Sequence, residues 1–140
     1  MLTDRLARND GRFEQWVPAA GSLLAIPFWL ATIHAGTLEL SLAALFVEYL
    51  LAECWFGPTV AALQKSAPAG AQGLTQGAFN VLTLAGNVAP ALLGLLLRET
   101  SVDLPTALSY SVPLLYAGAA IAFIVAGEQF KAAKDGKGAE

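Results

Sequence analysis

Hydrophobic residues fill four long stretches of the chain, and short polar connections separate them. The stretches cover about residues 17–35, 40–63, 74–97 and 106–127. Each is long enough to cross the roughly 30 Å hydrocarbon core as a helix, since a helix rises about 1.5 Å per residue. The period-two alternation of a membrane strand is absent, and in lipid only a helix satisfies its backbone hydrogen bonds within one segment. The pattern predicts an all-α, polytopic membrane protein with four transmembrane helices.

Charge is scarce and unevenly distributed, which supports this assignment. The 140-residue chain is 56% hydrophobic and 14% charged, with a mean hydropathy of +0.56, whereas soluble proteins carry about 25% charged residues. Residues 17–35 and 113–126 have no polar face, which argues against a soluble helix bundle. The single cysteine excludes an internal disulfide. The net charge of -3 is too small to indicate a nucleic-acid partner.

Basic residues indicate how the chain is oriented in the membrane. Seven of the eight Lys and Arg residues lie before the first span, in the middle connection or in the C-terminal tail. With four crossings these regions share one side, and the positive-inside rule makes that side the cytoplasm. The prediction is a cytoplasmic loop segment at 1–16, four helices within 17–127 and a cytoplasmic tail at 128–140. The candidates for interfacial anchors are aromatic residues: Trp16, Trp29, Trp55, Tyr110 and Tyr116.

Two glutamates lie inside the second span, where a charge is costly. Glu48 is near mid-bilayer, and Glu53 follows five residues later, about 140° away around a regular helix. A charge at the membrane centre costs about 2.5–3.5 kcal/mol on the insertion scale, so an acid there is by default a functional candidate. Both acids are predicted to belong to a substrate or proton pathway. The alternative is a structural acid paired with an arginine of another helix.

The second and third spans also carry helix-breaking and small polar residues. Gly57 and Pro58 predict a kink, because proline lacks a backbone donor and clashes with the preceding turn. This kink is a candidate hinge. Asn80 and Asn87 are predicted either to line a polar pathway or to hydrogen-bond between helices. They belong to a stripe that follows helical spacing: Gly73, Gly77, Asn80, Leu84, Asn87, Ala91 and Gly94.

Patterns typical of enzymes are missing from the sequence. The chain has one His and one Cys, which are too few for a zinc site built from these residues. It has neither a glycine-rich phosphate loop after a strand nor a nucleophile elbow. We therefore expect no enzymatic activity, no cofactor and no metal site.

Several stretches resemble the major facilitator superfamily. Asp4, Arg5, Arg8 and Arg12 are similar to the second half of its loop signature, G-x-x-x-D-R-x-x-R-[KR]. The stretch "AECWFGPTVAALQKSAPAGAQG" resembles the fourth helix of the second half and its following loop, particularly in spinster-like members. "GAFNVLTLAGNVAPALLGLLL" resembles the next helix. The chain thus resembles helices nine to twelve of a twelve-helix transporter, and we expect it to be a fragment.

This resemblance implies secondary active transport of a small organic or lipid-like solute by alternating access. It also implies that Asp4, Arg5, Arg8 and Arg12 form a gating loop, although these residues also suit a simple topology signal. The expected partners are membrane lipid, the small-molecule solute and the missing N-terminal helices of the same transporter. The alternative is a stand-alone four-helix membrane protein with an interaction or scaffold role.

Overall fold

The described part of the chain is helical throughout. A computed structural model describes residues 12–137, and this part contains no strand. A 3-10 turn, Glu53–Trp55, joins the second helix to the third. The α-helices, in chain order, are α1 (Phe13–His34), α2 (Leu38–Ala52), α3 (Phe56–Ser66), α4 (Gln72–Gly86), α5 (Ala89–Glu99) and α6 (Leu104–Lys137). The prediction of an all-α fold is confirmed.

Four segments of this chain are long and apolar enough to cross a membrane. They are Gln15–His34, Leu38–Ser66, Gln72–Glu99 and Leu104–Ala132. Their lengths of 20, 29, 28 and 29 residues reach or exceed the roughly 20 residues that span a hydrocarbon core. The predicted four transmembrane helices are thus confirmed by length and composition. They indicate a multi-pass membrane protein.

Helix α1 lies at the centre of the packing, between α2 and α6. Its contact surface is made of small side chains, with Ala19, Ser22 and Ala25 all buried. Ala120 of α6 is 1% exposed and belongs to the same interior. Lipid tails are as apolar as leucine, so membrane helices gain stability from close van der Waals contact, and small residues permit that contact.

Two helices approach each other closely at Gly21. A Cβ atom on Gly21 would lie 2.7 Å from the carbonyl oxygen of Leu51 and would overlap the sulfur of Cys54. The same sulfur lies 3.8 Å from the carbonyl oxygen of Val17. Glycine at this position is therefore what allows α1 to touch the end of α2.

Interhelical hydrogen bonds fix the far end of α1. The indole nitrogen of Trp29 donates to the carbonyl oxygen of Leu108 in α6 at 3.1 Å. On the other side, the hydroxyl of Ser41 in α2 donates to the carbonyl oxygen of Thr32 at 2.8 Å. These bonds hold α2 and α6 on α1 near its C-terminal end.

The third span lies at the edge of the described chain and is broken in its middle. Its most apolar 18-residue window has none of its residues buried. Helix α4 contacts α3, and α5 faces α6 across an apolar gap of about 330 Å³. The break falls between Gly86 and Ala89, and Pro90 lies in the first turn of α5. Because proline has no N–H, the carbonyl of Gly86 lacks its usual helical donor.

Helix α6 is longer than the sequence predicted. It continues to Lys137, ten residues past the predicted end of the fourth span, because the tail is rich in good helix formers such as alanine, lysine and glutamine. At its start, the backbone N–H of Thr106 donates to Oδ2 of Asp103 at 3.1 Å. The hydrogen bonds from Thr106 hold the pKa of the Asp103 carboxyl below its usual value. Asp103 is thus an N-cap whose charged form is favoured.

We expect Gly21→Ala to destabilise the protein by about 1–3 kcal/mol, the usual cost of overpacking a tight contact. The matched control is Gly118→Ala in α6, because a Cβ atom there meets nothing within 4 Å. This control should be neutral or slightly stabilising, since alanine favours the helix. Thermal unfolding of detergent-solubilised protein, followed by circular dichroism, measures both changes. Equal midpoints for the two variants would contradict the close approach at Gly21.

Candidate functional site

Glu48 is a carboxylate enclosed by the helices. It lies on α2 and is 3% exposed. The hydroxyl of Tyr116 in α6 donates a hydrogen bond to its Oε1. A buried carboxylate without a donor is strongly destabilising, so this hydrogen bond is what allows Glu48 to stay in the interior. The bond joins two helices that lie on either side of α1.

The structure gives Tyr116 a partner that the sequence did not indicate. Tyr116 was a candidate interfacial anchor, and here its hydroxyl bonds to Glu48. Tyrosine suits both an interface and a buried hydrogen bond, so its residue type alone did not identify this partner.

Glu53 lines a cavity beside this hydrogen bond. The cavity has a volume of about 370 Å³, and Tyr116 forms part of its wall. Glu53 is exposed, whereas Glu48 is buried, so the two acids have different surroundings. Glu48 bonds to the hydroxyl of Tyr116, and Glu53 lines the cavity whose wall includes Tyr116. Among residues 12–137, no three His, Cys, Asp or Glu side chains form a group that could hold a metal ion.

The second span loses its regular helical form at Glu53. The 3-10 turn Glu53–Trp55 interrupts it, and α3 begins directly before Gly57 and Pro58. A 3-10 turn has about three residues per turn instead of 3.6, so it changes the direction in which the following side chains point. Because Pro58 has no N–H, the carbonyl of Cys54 is left without its helical donor. The helix is thus irregular where the sequence predicted a kink, and its movement as a hinge stays a prediction.

Asn80 belongs to a chain of amide hydrogen bonds between α3 and α4. Nε2 of Gln64 donates to Oε1 of Gln76 at 3.2 Å. Nε2 of Gln76 in turn donates to Oδ1 of Asn80 at 3.2 Å. The bond between Gln64 and Gln76 joins the two helices, whereas the bond to Asn80 lies within α4. Both roles considered for Asn80 therefore stay predictions.

Asn87 lies at the break of the third span. Its backbone N–H donates to the carbonyl oxygen of Leu84 at 3.0 Å, where α4 ends. Both Asn80 and Asn87 are exposed, and neither lines the cavity that contains Glu53. The structure therefore separates the two asparagines from the two glutamates. A Cβ atom on any of three glycines of the predicted stripe meets nothing within 4 Å: Gly73, Gly77 and Gly94.

The predicted gating loop is only partly visible. Three of its four residues lie outside the described part of the chain: Asp4, Arg5 and Arg8. Nη1 of Arg12 lies 2.9 Å from Oε1 of Glu128 in α6, and its guanidinium lies 5.8 Å from the centre of the Trp16 ring. This ion pair joins the start of α1 to α6. It is partly exposed, and such pairs contribute about 0–1 kcal/mol.

Comparison of the chain with protein-family profiles, with curated proteins and with solved structures found no match. The resemblance to the major facilitator superfamily therefore stays a prediction. Function has to be inferred from the geometry around Glu48, Tyr116 and Glu53.

We expect Tyr116→Phe to lower the free energy of unfolding by about 1–3 kcal/mol, because it leaves a buried acceptor without its donor. The matched control is Tyr110→Phe on the same helix, since Tyr110 is 77% exposed. A third and a fourth variant are Glu48→Leu and the double variant Tyr116→Phe/Glu48→Leu. Both partners are apolar in the double variant, so its loss of unfolding free energy should be smaller than the sum of the losses in the two single variants. Strictly additive losses, measured by thermal unfolding in detergent, would show that the two side chains do not interact.

Proposed function

We propose that this chain is part of a secondary active transporter, similar to spinster-like members of the major facilitator superfamily. It would move a small organic or lipid-like solute across a membrane by alternating access. The observation that carries the proposal is the buried carboxylate of Glu48, bonded to Tyr116 beside an open cavity. An ionisable group inside the bilayer is retained against its cost where a solute or an ion passes.

The two glutamates have separate roles in this proposal. Glu53 faces the cavity and contacts the solute, whereas Glu48 is enclosed and carries the charge that couples transport to a proton. Tyr116 links solute binding at Glu53 to proton binding at Glu48, because its phenol lines the cavity and also bonds to Glu48. The irregular backbone from Glu53 to Pro58 supplies a place where the span bends as access alternates.

The third span supports the presence of further helices around these four. Asn80, Asn87 and the backbone at the mid-span break are uncovered within the described chain. Polar side chains and broken backbone are tolerated at membrane depth only against protein or water. We propose that additional helices of the same transporter cover this face. Asn80 and Asn87 would line the part of the solute pathway that these helices add, away from the cavity that contains Glu53.

The proposed orientation places both ends of the chain in the cytoplasm. It follows from the positive-inside rule. The ion pair of Arg12 with Glu128 then lies on the cytoplasmic side, where it holds α1 and α6 together in one access state. The residues Asp4, Arg5 and Arg8 complete the gating loop in this proposal.

The orientation is tested with single cysteines in a Cys54→Ser background. We expect Gly36→Cys and Ser101→Cys to react with a membrane-impermeant maleimide added outside intact cells, because both follow an outward crossing. Ala69→Cys, in the middle connection, should react only after the cells are opened. All three positions lie between spans. Labelling of all three from the same side would exclude the four-crossing topology.

The coupling role is tested by uptake of organic solutes into proteoliposomes that contain the full-length protein. We expect uptake by the unchanged protein to vary with pH, and Glu48→Gln to abolish that variation, because glutamine cannot release a proton. Glu39→Gln is the matched control: Glu39 lies in the first turn of α2, at the edge of the membrane, and the pH profile should be unchanged. A Glu48→Gln profile identical to that of the unchanged protein would remove Glu48 from coupling.

The same uptake assay tests the alternative, that the chain is a stand-alone four-helix membrane protein with an interaction or scaffold role. If the full-length protein, correctly folded in liposomes, takes up no solute at any pH, the transporter proposal fails. The four helices would then serve as an interaction module.

A further inference from the structure

The cavity beside Tyr116 combines one carboxylate with three aromatic rings. Its wall contains Glu53, Trp55, Tyr116 and Phe123, together with the hydroxyl-bearing Ser22. The four larger side chains come from the 3-10 turn and from α6. Among the described residues, no Lys or Arg lines this cavity. Its volume of about 370 Å³ is within the range of small-molecule sites, about 300–1,000 Å³.

The aromatic part of this wall is held in place by its neighbours. The Trp55 ring meets the edge of Phe56 with centroids 5.7 Å apart, and it lies 6.2 Å from the ring of Phe79 in α4. The phenol of Tyr116 is held by its hydrogen bond to Glu48. Two of the three rings, those of Trp55 and Tyr116, are therefore held before a ligand binds, which lowers the cost of ordering the site.

We infer that this cavity is a binding site for a small organic cation, an ammonium group attached to an apolar body. An ammonium group is attracted both to a carboxylate and to the electron-rich faces of aromatic rings, and cages of such rings are a common means of binding methylated ammonium groups. The inference rests on the proposed function in that it takes this cavity as the solute site. It narrows the solute class from organic solutes to organic cations.

The charge balance of the cavity favours a cation over a neutral or anionic solute. Glu53 is exposed on the cavity wall at membrane depth, and a carboxylate there is costly until a positive group comes near it. Glu48 bonds to Tyr116 of the cavity wall, so a second acid lies near the site. An anion would meet two carboxylates in a medium of low dielectric constant, so it would be repelled.

The inference is tested with radiolabelled phenyltrimethylammonium and the full-length protein in lipid nanodiscs. We expect saturable binding, a dissociation constant at least tenfold higher for Glu53→Gln, and about threefold higher for Phe123→Leu. Glu39→Gln and Phe46→Leu are matched controls for charge and ring, because Glu39 is in the first turn of α2 and Phe46 is 66% exposed. Both should bind as the unchanged protein does. Each variant is first shown to unfold at the same temperature as the unchanged protein.

Two outcomes would overturn the cation site. One is binding that Glu53→Gln leaves unchanged, and the other is competition by the uncharged isostere tert-butylbenzene as strong as that by the unlabelled cation. The failure of the transport proposal is distinguishable from either outcome. Cation binding without uptake of any solute would leave the site standing and remove transport. Uptake of solutes without cation binding would leave transport standing and remove the site.

Discussion

A carboxylate within the bilayer has to be given a hydrogen-bond donor, and the packing of these helices follows from how Glu48 meets that requirement. Its donor is Tyr116, 68 residues further along the chain. For the two side chains to meet, α2 and α6 both have to pack on α1. That arrangement is possible because α1 presents small side chains and, at Gly21, no side chain at all. Close packing and satisfaction of the buried charge are thus one constraint.

The two glutamates of the second span show how five residues of separation produce different chemistry. Glu48 is on a regular helix, enclosed and hydrogen-bonded, whereas Glu53 begins a 3-10 turn and opens onto a cavity. The side chain of Tyr116 takes part in both surroundings. A proton held at Glu48 and a cation held at Glu53 would therefore be linked through one phenol, which is a short physical route for coupling two binding events.

Breaks in the second and third spans mark where this fold departs from a simple bundle. Pro58 and Pro90 each leave a carbonyl without its helical donor, and both breaks lie well within their spans. In hydrocarbon such groups need protein or water nearby. The break in the second span is beside the cavity. The break in the third span is exposed within the described chain. The uncovered break and the uncovered asparagines both support the proposal that further helices pack on this face.

The sequence by itself determined that the chain forms four membrane helices, because hydropathy over about 20 residues decides whether a segment is stable in lipid. It also located Glu48, Glu53 and the Gly57-Pro58 irregularity, since a rare acid or a proline stands out in an apolar run. Only the tertiary structure decided that Glu48 pairs with Tyr116, that Glu53 shares a cavity with aromatic rings, and that Asn80 and Asn87 lie elsewhere. The physical reason is that these partners come from different spans. Which face of one helix meets which face of another depends on the packing of all of them, and no local pattern along the chain contains it.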